Sequence, residues 1–340
     1  MPYSVPDWVA GTALPWLSEE ASVFGKGPFI VADVKDAKWL SAYRGELGSS
    51  LLVGVNETGD APETDDTFDV CLTTAPTPAK PWVQVQSIAE TVEALRTAVA
   101  ANPNAATTLV QVLRAQRQQP FAQALHIESL AYSTLLGGAE FRHWRTTNPH
   151  TIEQASEQGP AVIVARENDI LRIELARPAN DNALSAEMRD GLVEALRTAQ
   201  MDKTIQMVEI RGRGRVFCSG GALREFGVAQ DLAAAHQLRT VRSVGSTLHR
   251  LGSRSRVFVH GAAVGGGIEF AAAGHELVAQ PSAFFQLPEI SMGLIPGACG
   301  TFTIARRIGW QRMAYMALSG ARLRARTALD WGLIDRIDNA

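Results

Sequence analysis

VGGGIEFAAAGHELVAQPSAFFQLPEISMGLIPGACGT, residues 264–301, places Glu269 and Glu289 downstream of a triple glycine and among apolar residues. A carboxylate in apolar surroundings is unfavourable unless it is paired, hydrogen-bonded or protonated. Carboxylates kept in such surroundings are typical of sites that perform acid/base chemistry. The stretch therefore predicts a site in which these two glutamates move protons.

A second glycine turn precedes this stretch. VFCSGG, residues 216–221, ends an apolar strand with Gly220 and Gly221. Glycine lets the backbone approach a ligand closely, and N–H groups at a helix N-terminus favour developing negative charge. The spacing differs from the G-x-G-x-x-G of dinucleotide-binding proteins. Two such turns near acidic side chains indicate a site that polarises a carbonyl group and moves a proton beside it.

The composition is that of a soluble globular protein. The chain has 340 residues, 46% hydrophobic and 20% charged, with a net charge of −3, so neither nucleic acid nor an anionic membrane is an expected partner. Cys71, Cys218 and Cys299 are widely spaced and odd in number, which argues against a disulfide framework and a structural zinc site. Neither a signal peptide nor a membrane-spanning run is evident. We therefore expect a cytoplasmic protein.

Two parts of different character meet at a polar stretch, TNPHTIEQASEQGP, which is a plausible linker. We predict an N-terminal unit over 1–150 and a second domain over 151–340. The first is predicted to be a smaller α/β unit that ends in helices, with strands in 27–34, 49–56 and 68–74 and helices over 87–100, 106–118 and 121–136. It carries no recognisable catalytic motif. His126 and Glu128 lie on a helix face and are interpreted as structural.

The second part alternates strands with helices. Ser185 is the expected N-cap of the first of these helices. Helical patterns cover 185–200, 228–251 and 301–320, and β-like runs cover 161–168, 169–178, 206–212, 256–266, 275–280 and 283–289. This order predicts an α/β fold with a mainly parallel, layered sheet and a site at the strand ends.

Five ordered blocks in this part resemble the crotonase (enoyl-CoA hydratase/isomerase) superfamily over residues 160–337. They are ELARP…NALS, GRGRVFCSGG, VHGAAVGGGIEF, LPEISMGLIPGACGT and SGARLRARTALDWGLID. The resemblance implies a spiral of ββα units, an acyl-CoA thioester as substrate, and assembly as a homotrimer or hexamer. It implies no metal or redox cofactor, since coenzyme A enters as part of the substrate. Residues 1–150 lie outside the resemblance and are similar in kind to the extension of the dihydroxyphenylacetyl-CoA dioxygenase branch.

The resemblance also assigns roles to residues. The backbone N–H groups of Gly221 and Gly266 would bind the thioester oxygen, and Glu269 and Glu289 would be the acid/base pair, as in hydratases. We expect Glu269 to position and activate water and Glu289 to transfer a proton at the α-carbon. The segment expected to contact coenzyme A comprises Asn182, Ala183, Leu184, Gly220 and Ala222. Arg213, Arg215 and Arg224 could meet its phosphates as charge-assisted partners, although for any single one the sequence favours a solvated surface arginine. Arg306 and Arg307 are interpreted as surface or interface residues.

Three features depart from the pattern of the superfamily. Ala222 stands where relatives often have Asp, and Cys299 replaces a common glycine, which we expect to narrow the space near Glu289. The chain stops at Ala340, where relatives continue into a helical segment that covers the acyl pocket, so the N-terminal unit is expected to cover that surface instead. Hydration of a 2-enoyl-CoA is the leading hypothesis. The alternatives are an enoyl-CoA isomerase, a cofactor-independent arylacetyl-CoA dioxygenase, or a non-catalytic acyl-CoA-binding subunit of a hetero-complex.

Overall fold

Short apolar runs build three sheets in the computed structural model, which describes residues 4–62, 66–149 and 158–338. We call the described residues up to 149 the N-terminal half and those from 158 the C-terminal half. Most of the predicted linker falls on 150–157 and lies outside the described residues. The predicted α/β class is confirmed, as is the order of a smaller N-terminal α/β unit that ends in helices followed by a second α/β unit.

The N-terminal half is a parallel sheet followed by helices. Its strands pair in chain order, β1-β2-β3-β4, and all pairs are parallel. The three predicted strands are present, and a fourth, too short to show a pattern, contains the buried Trp82. The elements are α1 (Asp7–Gly11), α2 (Leu14–Glu20), β1 (Phe29–Asp33), α3 (Ala37–Ala42), β2 (Leu51–Asn56), β3 (Val70–Thr73), β4 (Trp82–Gln84), α4 (Ile88–Ala101), α5 (Pro103–Gln116), α6 (Phe121–Leu136) and α7 (Ala139–Thr147).

The C-terminal half contains a six-stranded and a three-stranded sheet. The larger has the order β13-β10-β8-β7-β6-β5, parallel except for the β5–β6 pair, and the smaller has the order β12-β11-β9. The elements are β5 (Val162–Glu167), β6 (Ile170–Leu175), α8 (Ala186–Met201), β7 (Met207–Gly212), α9 (Leu232–Val241), α10 (Val244–His249), β8 (Ser255–Val259), β9 (Ala262–Val264), α11 (Gly266–Ala271), β10 (Glu276–Ala279), β11 (Phe284–Gln286), α12 (Gly300–Ile308), α13 (Trp310–Ser319), β12 (Leu323–Arg324), α14 (Ala325–Trp331) and β13 (Arg336–Ile337).

Two predicted helices are each divided in the structure. The region 301–320 forms α12 and α13, because Gly309 between them has φ of +92°, a conformation that ends a right-handed helix. The region 228–251 forms α9 and α10, and the Ser243 side chain caps the second of them by accepting from the Ser246 N–H. Ser185 caps α8 as predicted, accepting from Met188 N–H.

The two halves share one apolar core. Helices α12 and α13 pack against α4, α5 and α6, and the ring of Phe121 meets that of Phe302 edge-on with centroids 5.4 Å apart. The buried Arg312 of α13 donates to the carbonyl oxygens of Trp82, at 2.9 Å, and Pro78, at 2.7 Å. The N-terminal half is therefore joined to the region around residues 298–319 by apolar and polar contacts.

The described helices include none that is long and apolar enough to cross a membrane.

Candidate functional site

A cavity of about 340 Å³ lies where the two glycine turns meet the N-terminal half. Its volume falls within the range of small-molecule sites. The C-terminal half contributes residues from the glycine turns, from α9 and from both predicted glutamates, Glu269 and Glu289. Helix α6 of the N-terminal half contributes one wall, through Leu125, Tyr132 and Leu136. The site is therefore built by both halves of the chain.

The two glycine turns are brought together as predicted. Backbone bridges join Leu184 to Gly221 and Cys218 to Ala263, so the turn after residue 216 lies beside β9. A Cβ placed on Gly266 would lie 3.7 Å from the Gly221 nitrogen. Among the described residues, neither amide donates a hydrogen bond to another protein atom. Two free N–H donors therefore lie side by side at the cavity, an arrangement that can bind a carbonyl oxygen carrying negative charge.

Glu269 is held by a loop at the start of α12. It lies in the first turn of α11 and is buried, and its Oε2 accepts the N–H groups of Ala298, at 2.6 Å, and Gly300, at 2.9 Å. The Gly297 N–H also interacts with this carboxyl group, and the side chain lines the cavity. The backbone amides thus fix the carboxyl group at a position where it faces the cavity.

Glu289 lies beside Glu269 on the cavity wall. It begins a 3-10 helix, Glu289–Met292, and its Oε2 is buried and has no hydrogen-bond partner among the described atoms. A Cβ on Gly265 would lie only 2.5 Å from Glu289 Oε1, and Gly265 has φ of +47°. Glycine is therefore required there both by space and by conformation. An unpartnered buried carboxyl oxygen is well suited to exchange a proton with a bound molecule.

Burial raises the pKa of both carboxyl groups. It raises the pKa of Glu269 to about 7. The pKa of Glu289 is well above its usual range, first because of burial and then because of the charge of Glu269. Both carboxyl groups therefore hold a proton more readily than an exposed glutamate does. One group can donate a proton while the other accepts one.

These shifts predict that the folded protein loses stability as the pH rises. A carboxyl group whose pKa is raised on folding stabilises the folded state below its unfolded pKa, and this contribution is lost as the pH rises through the folded value. We expect the free energy of unfolding in urea to fall by a few kcal/mol between about pH 5 and pH 8, since one pKa unit corresponds to about 1.4 kcal/mol. Glu289→Gln should flatten this dependence; equal slopes for parent and variant would contradict it.

The residues expected to contact coenzyme A separate into two groups. Leu184 and Ala222 line the cavity. Asn182, Ala183 and Gly220 are outside its lining, although the Gly220 carbonyl accepts the Leu184 N–H at 2.7 Å and so holds the adjacent strand. Ala222 precedes a 3-10 helix, Leu223–Glu225, without a side-chain cap. An alanine side chain has no acceptor atom that could cap this helix.

Asn182 organises the loop before α8. It is fully buried with φ of +51°; its Oδ1 accepts the Arg177 N–H at 2.9 Å, and its Nδ2 donates to the carbonyl oxygens of Arg213 and Val216 at 2.8 and 3.0 Å. We expect Asn182→Ala to lower the free energy of unfolding by about 2–3 kcal/mol, because it leaves buried polar groups unpaired. Asn168→Ala is the matched control, since Asn168 shares the left-handed backbone, with φ of +57°, but is exposed. Equal losses would show that backbone strain, not hydrogen bonding, is responsible.

Comparison with known proteins agrees with this geometry. The sequence profile of the enoyl-CoA hydratase/isomerase family matches residues 165–340. The chain belongs to this family. It is 34% identical over 183 residues to the 2,3-dehydroadipyl-CoA hydratase of Escherichia coli, covering 52% of this chain and 68% of the relative. It is 32% identical over 173 residues to the 1,2-epoxyphenylacetyl-CoA isomerase of the same organism, covering 49% of this chain and 66% of the relative.

Among solved structures, the chain is similar to the enoyl-CoA hydratase of Thermoplasma volcanium. The match has a TM-score of 0.50 and 28% identity, and it covers 54% of this chain and 73% of that one. These matches span about half of this chain, which leaves an extra N-terminal region. The wall that α6 contributes to the cavity therefore comes from a part of the chain outside the family match.

Two residues near the family site differ from the sequence expectations. Cys299 does not narrow the cavity: it has φ of +81°, and its thiol lies against Gly245 and 3.6 Å from the Glu269 carbonyl oxygen. Arg307 is only partly exposed. Its guanidinium donates to the carbonyl oxygens of Ala272, at 2.9 Å, and Gly274, at 2.6 Å, and thereby fastens α12 to the segment between α11 and β10.

The other arginines proposed for phosphate contact are engaged on the surface. Arg213 pairs with Glu174 at 2.7 Å and Arg215 with Asp181 at 2.9 Å. Arg224 lies 3.7 Å from Glu225. These pairs favour the interpretation of solvated arginines for the free protein.

Sequence reasoning missed three residues around the site, Glu128, Tyr132 and Arg239. Tyr132 and Arg239 line the cavity, with the guanidinium 4.5 Å from the centre of the phenol ring. Burial raises the pKa of the Tyr132 phenol. Glu128 is fully buried against the start of α12. A signal was present in the sequence, because Glu128 lies three residues after Leu125 and four after Ala124, on the apolar face of its helix.

Proposed function

We propose that the protein adds water across the double bond of a 2-enoyl-CoA thioester. The N–H groups of Gly221 and Gly266 would bind the thioester oxygen and stabilise the enolate, a role in which loss of one donor typically costs about 3 kcal/mol. The observation that carries the proposal is the pair of buried carboxyl groups on one cavity wall, one with an unpartnered oxygen and one fixed by backbone amides.

Each proton has a place in this route. The ionised Glu269 takes a proton from water as the water oxygen bonds to the β-carbon, and the π electrons move to the thioester oxygen held by the two glycine amides. The enolate then collapses, and the α-carbon takes the proton of Glu289. Exchange of one proton between the two carboxyl groups restores the starting state. The raised pKa of Glu289 and the value of about 7 for Glu269 support this division of labour.

The acyl chain would lie against the wall formed by α6 and α9, and coenzyme A would pass Leu184 and Ala222. Coenzyme A is part of the substrate, and no step of the route requires another cofactor. By analogy with the family, a homo-oligomeric assembly is part of the proposal.

Isomerisation is the second candidate within the same chemistry. Glu269 Oε2 is occupied by two amides, so Glu289 could shuttle a proton between carbon atoms without any water. A third candidate is the oxygenation of an arylacetyl-CoA, which the long N-terminal region suggests and the experiment below tests. A subunit that only binds acyl-CoA is the non-enzymatic alternative.

The loss of enoyl-thioester absorbance tests the proposal. A panel of short, long and aromatic 2-enoyl-CoAs should include at least one substrate whose absorbance falls and whose product is the 3-hydroxyacyl-CoA. A shifted double bond would identify an isomerase, and oxygen uptake on an arylacetyl-CoA would identify an oxygenase. Binding without turnover of any of these would overturn the proposal in favour of a non-catalytic subunit.

A further inference from the structure

Glu128 joins the N-terminal half to the loop that holds Glu269. It lies in the middle of α6 and is completely buried. Its Oε1 accepts the Cys299 N–H at 2.6 Å, and its Oε2 accepts the N–H of Thr301 at 2.9 Å and the hydroxyl of Thr301 at 2.6 Å. Both carboxyl oxygens are thus used by the C-terminal half.

Glu128 and Glu269 bind alternate amides of the same four residues. The N–H groups of 298 and 300 point to Glu269, and those of 299 and 301 point to Glu128. Helix α12 begins here, and the first N–H groups of a helix have no partner within it. The two carboxyl groups therefore divide the donors of one helix N-terminus between them, and neither can move without displacing the loop that binds the other.

Close packing holds this loop from both sides. A Cβ on Gly297 would lie 2.4 Å from Tyr132 Cδ2, and a Cβ on Gly300 would lie 2.4 Å from Glu269 Cγ. The loop is therefore enclosed between α6 on one side and α11 on the other. Small rearrangements of α6 are transmitted directly to Glu269, because close-packed interiors do not absorb displacement.

We propose that Glu128 is a positioning residue of the active site, which fixes the 298–301 loop and through it the carboxyl group of Glu269. The inference rests on the proposed function for its effect on rate. Glu128 itself is outside the cavity lining and acts through the backbone. The N-terminal half thereby supplies part of the acid/base apparatus as well as a cavity wall.

The charges around Glu128 support this role. The acidic groups that face it are Glu269 on α11, Glu289, the Cys299 thiol and, on its own helix, Tyr132. The guanidinium of Arg239 on α9 favours the ionised form of Glu128. Burial raises the pKa of Glu128 to about 8, and the charge of Glu269 adds to the shift. The hydrogen bonds from Cys299 and Thr301 oppose this rise in pKa, because they stabilise the ionised carboxylate.

Glu128→Gln tests the proposal, because glutamine keeps the shape but turns an acceptor oxygen into an N–H₂ group that faces a donor. We expect kcat to fall by about 10²-fold, since displacements of about 1 Å can have effects of this size, with KM little changed. Hydrogen exchange at amides 298–301 should accelerate.

Two further variants make the experiment decisive. Thr301→Val removes only one of the three donors to Glu128. It should lower kcat and accelerate amide exchange as Glu128→Gln does, but by less. If Glu128→Gln does not fold, Thr301→Val provides the test. Glu140→Gln is the matched control, since Glu140 also accepts two backbone amides, of Asn104 at 2.8 Å and Ala105 at 2.9 Å, but is outside the cavity lining. It should leave kcat and exchange at 298–301 as in the parent.

The two readouts separate the two proposals. Hydrogen exchange at 298–301 that is as slow in Glu128→Gln and Thr301→Val as in the parent would overturn the positioning role, whatever the substrate proves to be. Accelerated exchange in these variants, when the parent protein turns over no enoyl thioester, would support the positioning role of Glu128 and refute the proposed function. Accelerated exchange in Glu128→Gln with an unchanged kcat would show that the contact holds the 298–301 loop without affecting catalysis, and would overturn the proposal.

Discussion

Glu289→Gln is expected to reduce turnover of a 2-enoyl-CoA by about 10³-fold, within the range for loss of a general acid or base. Glutamine keeps the volume that fits against Gly265 but has no proton to deliver to the α-carbon. The substitution replaces a buried oxygen without a hydrogen-bond partner, so the fold should be retained. The initial rate of absorbance loss, measured beside the dissociation constant of a non-reactive acyl-CoA, checks both expectations.

The control for this variant is Glu93→Gln on the exposed face of α4, which should keep the parental rate. We also expect Glu289→Gln to be more stable than the parent at pH 8 by about 1 kcal/mol, as is common where a residue is kept for activity at the expense of stability. If Glu289→Gln keeps more than about a tenth of the parental rate, Glu289 is not the proton donor of the reaction.

Removal of residues 1–150 is expected to abolish both solubility and activity. The fragment would expose the faces of α12 and α13 that now pack against α4, α5 and α6. Each large apolar side chain loses about 1.5–3 kcal/mol on exposure, so a handful of them equals the ~5–15 kcal/mol stability of a typical domain. Arg312 would also lose the carbonyl oxygens of Trp82 and Pro78. Sedimentation of the expressed fragment and its thioester assay measure the two effects.

Co-expression provides the matched control for this deletion. Residues 1–150 supplied as a separate chain should restore a soluble complex with the 151–340 fragment, because the contacts that join the halves are non-covalent. A fragment that is soluble and fully active by itself would show that the N-terminal half neither covers the cavity nor positions Glu269.

The sequence predicted local features well and long-range ones poorly. The strands, the glycine turns and the cap at Ser185 depend on residues close together in the chain, and the structure contains them. The separation of α12 from α13 at Gly309 was missed, because the apolar pattern continues through the glycine.

The hydrogen-bond partners of Glu128 were also beyond the sequence pattern. Its partners Cys299 and Thr301 lie 171 and 173 residues away, and no periodicity connects them. The interpretation of Glu128 as structural was incomplete, since it contacts the loop that holds Glu269. Likewise, the family resemblance begins only near residue 160, so it gave no reason to place Tyr132 in the cavity.

The account requires an enolate formed beside Glu289, whatever the final product. The most direct test is exchange of the α-protons of an acyl-CoA or 3-hydroxyacyl-CoA in D₂O, followed by NMR. We predict that the parent incorporates deuterium at the α-carbon and that Glu289→Gln does not, while both bind the thioester. Absence of exchange in the parent with every thioester that it binds, or equal exchange in parent and variant, would contradict the account.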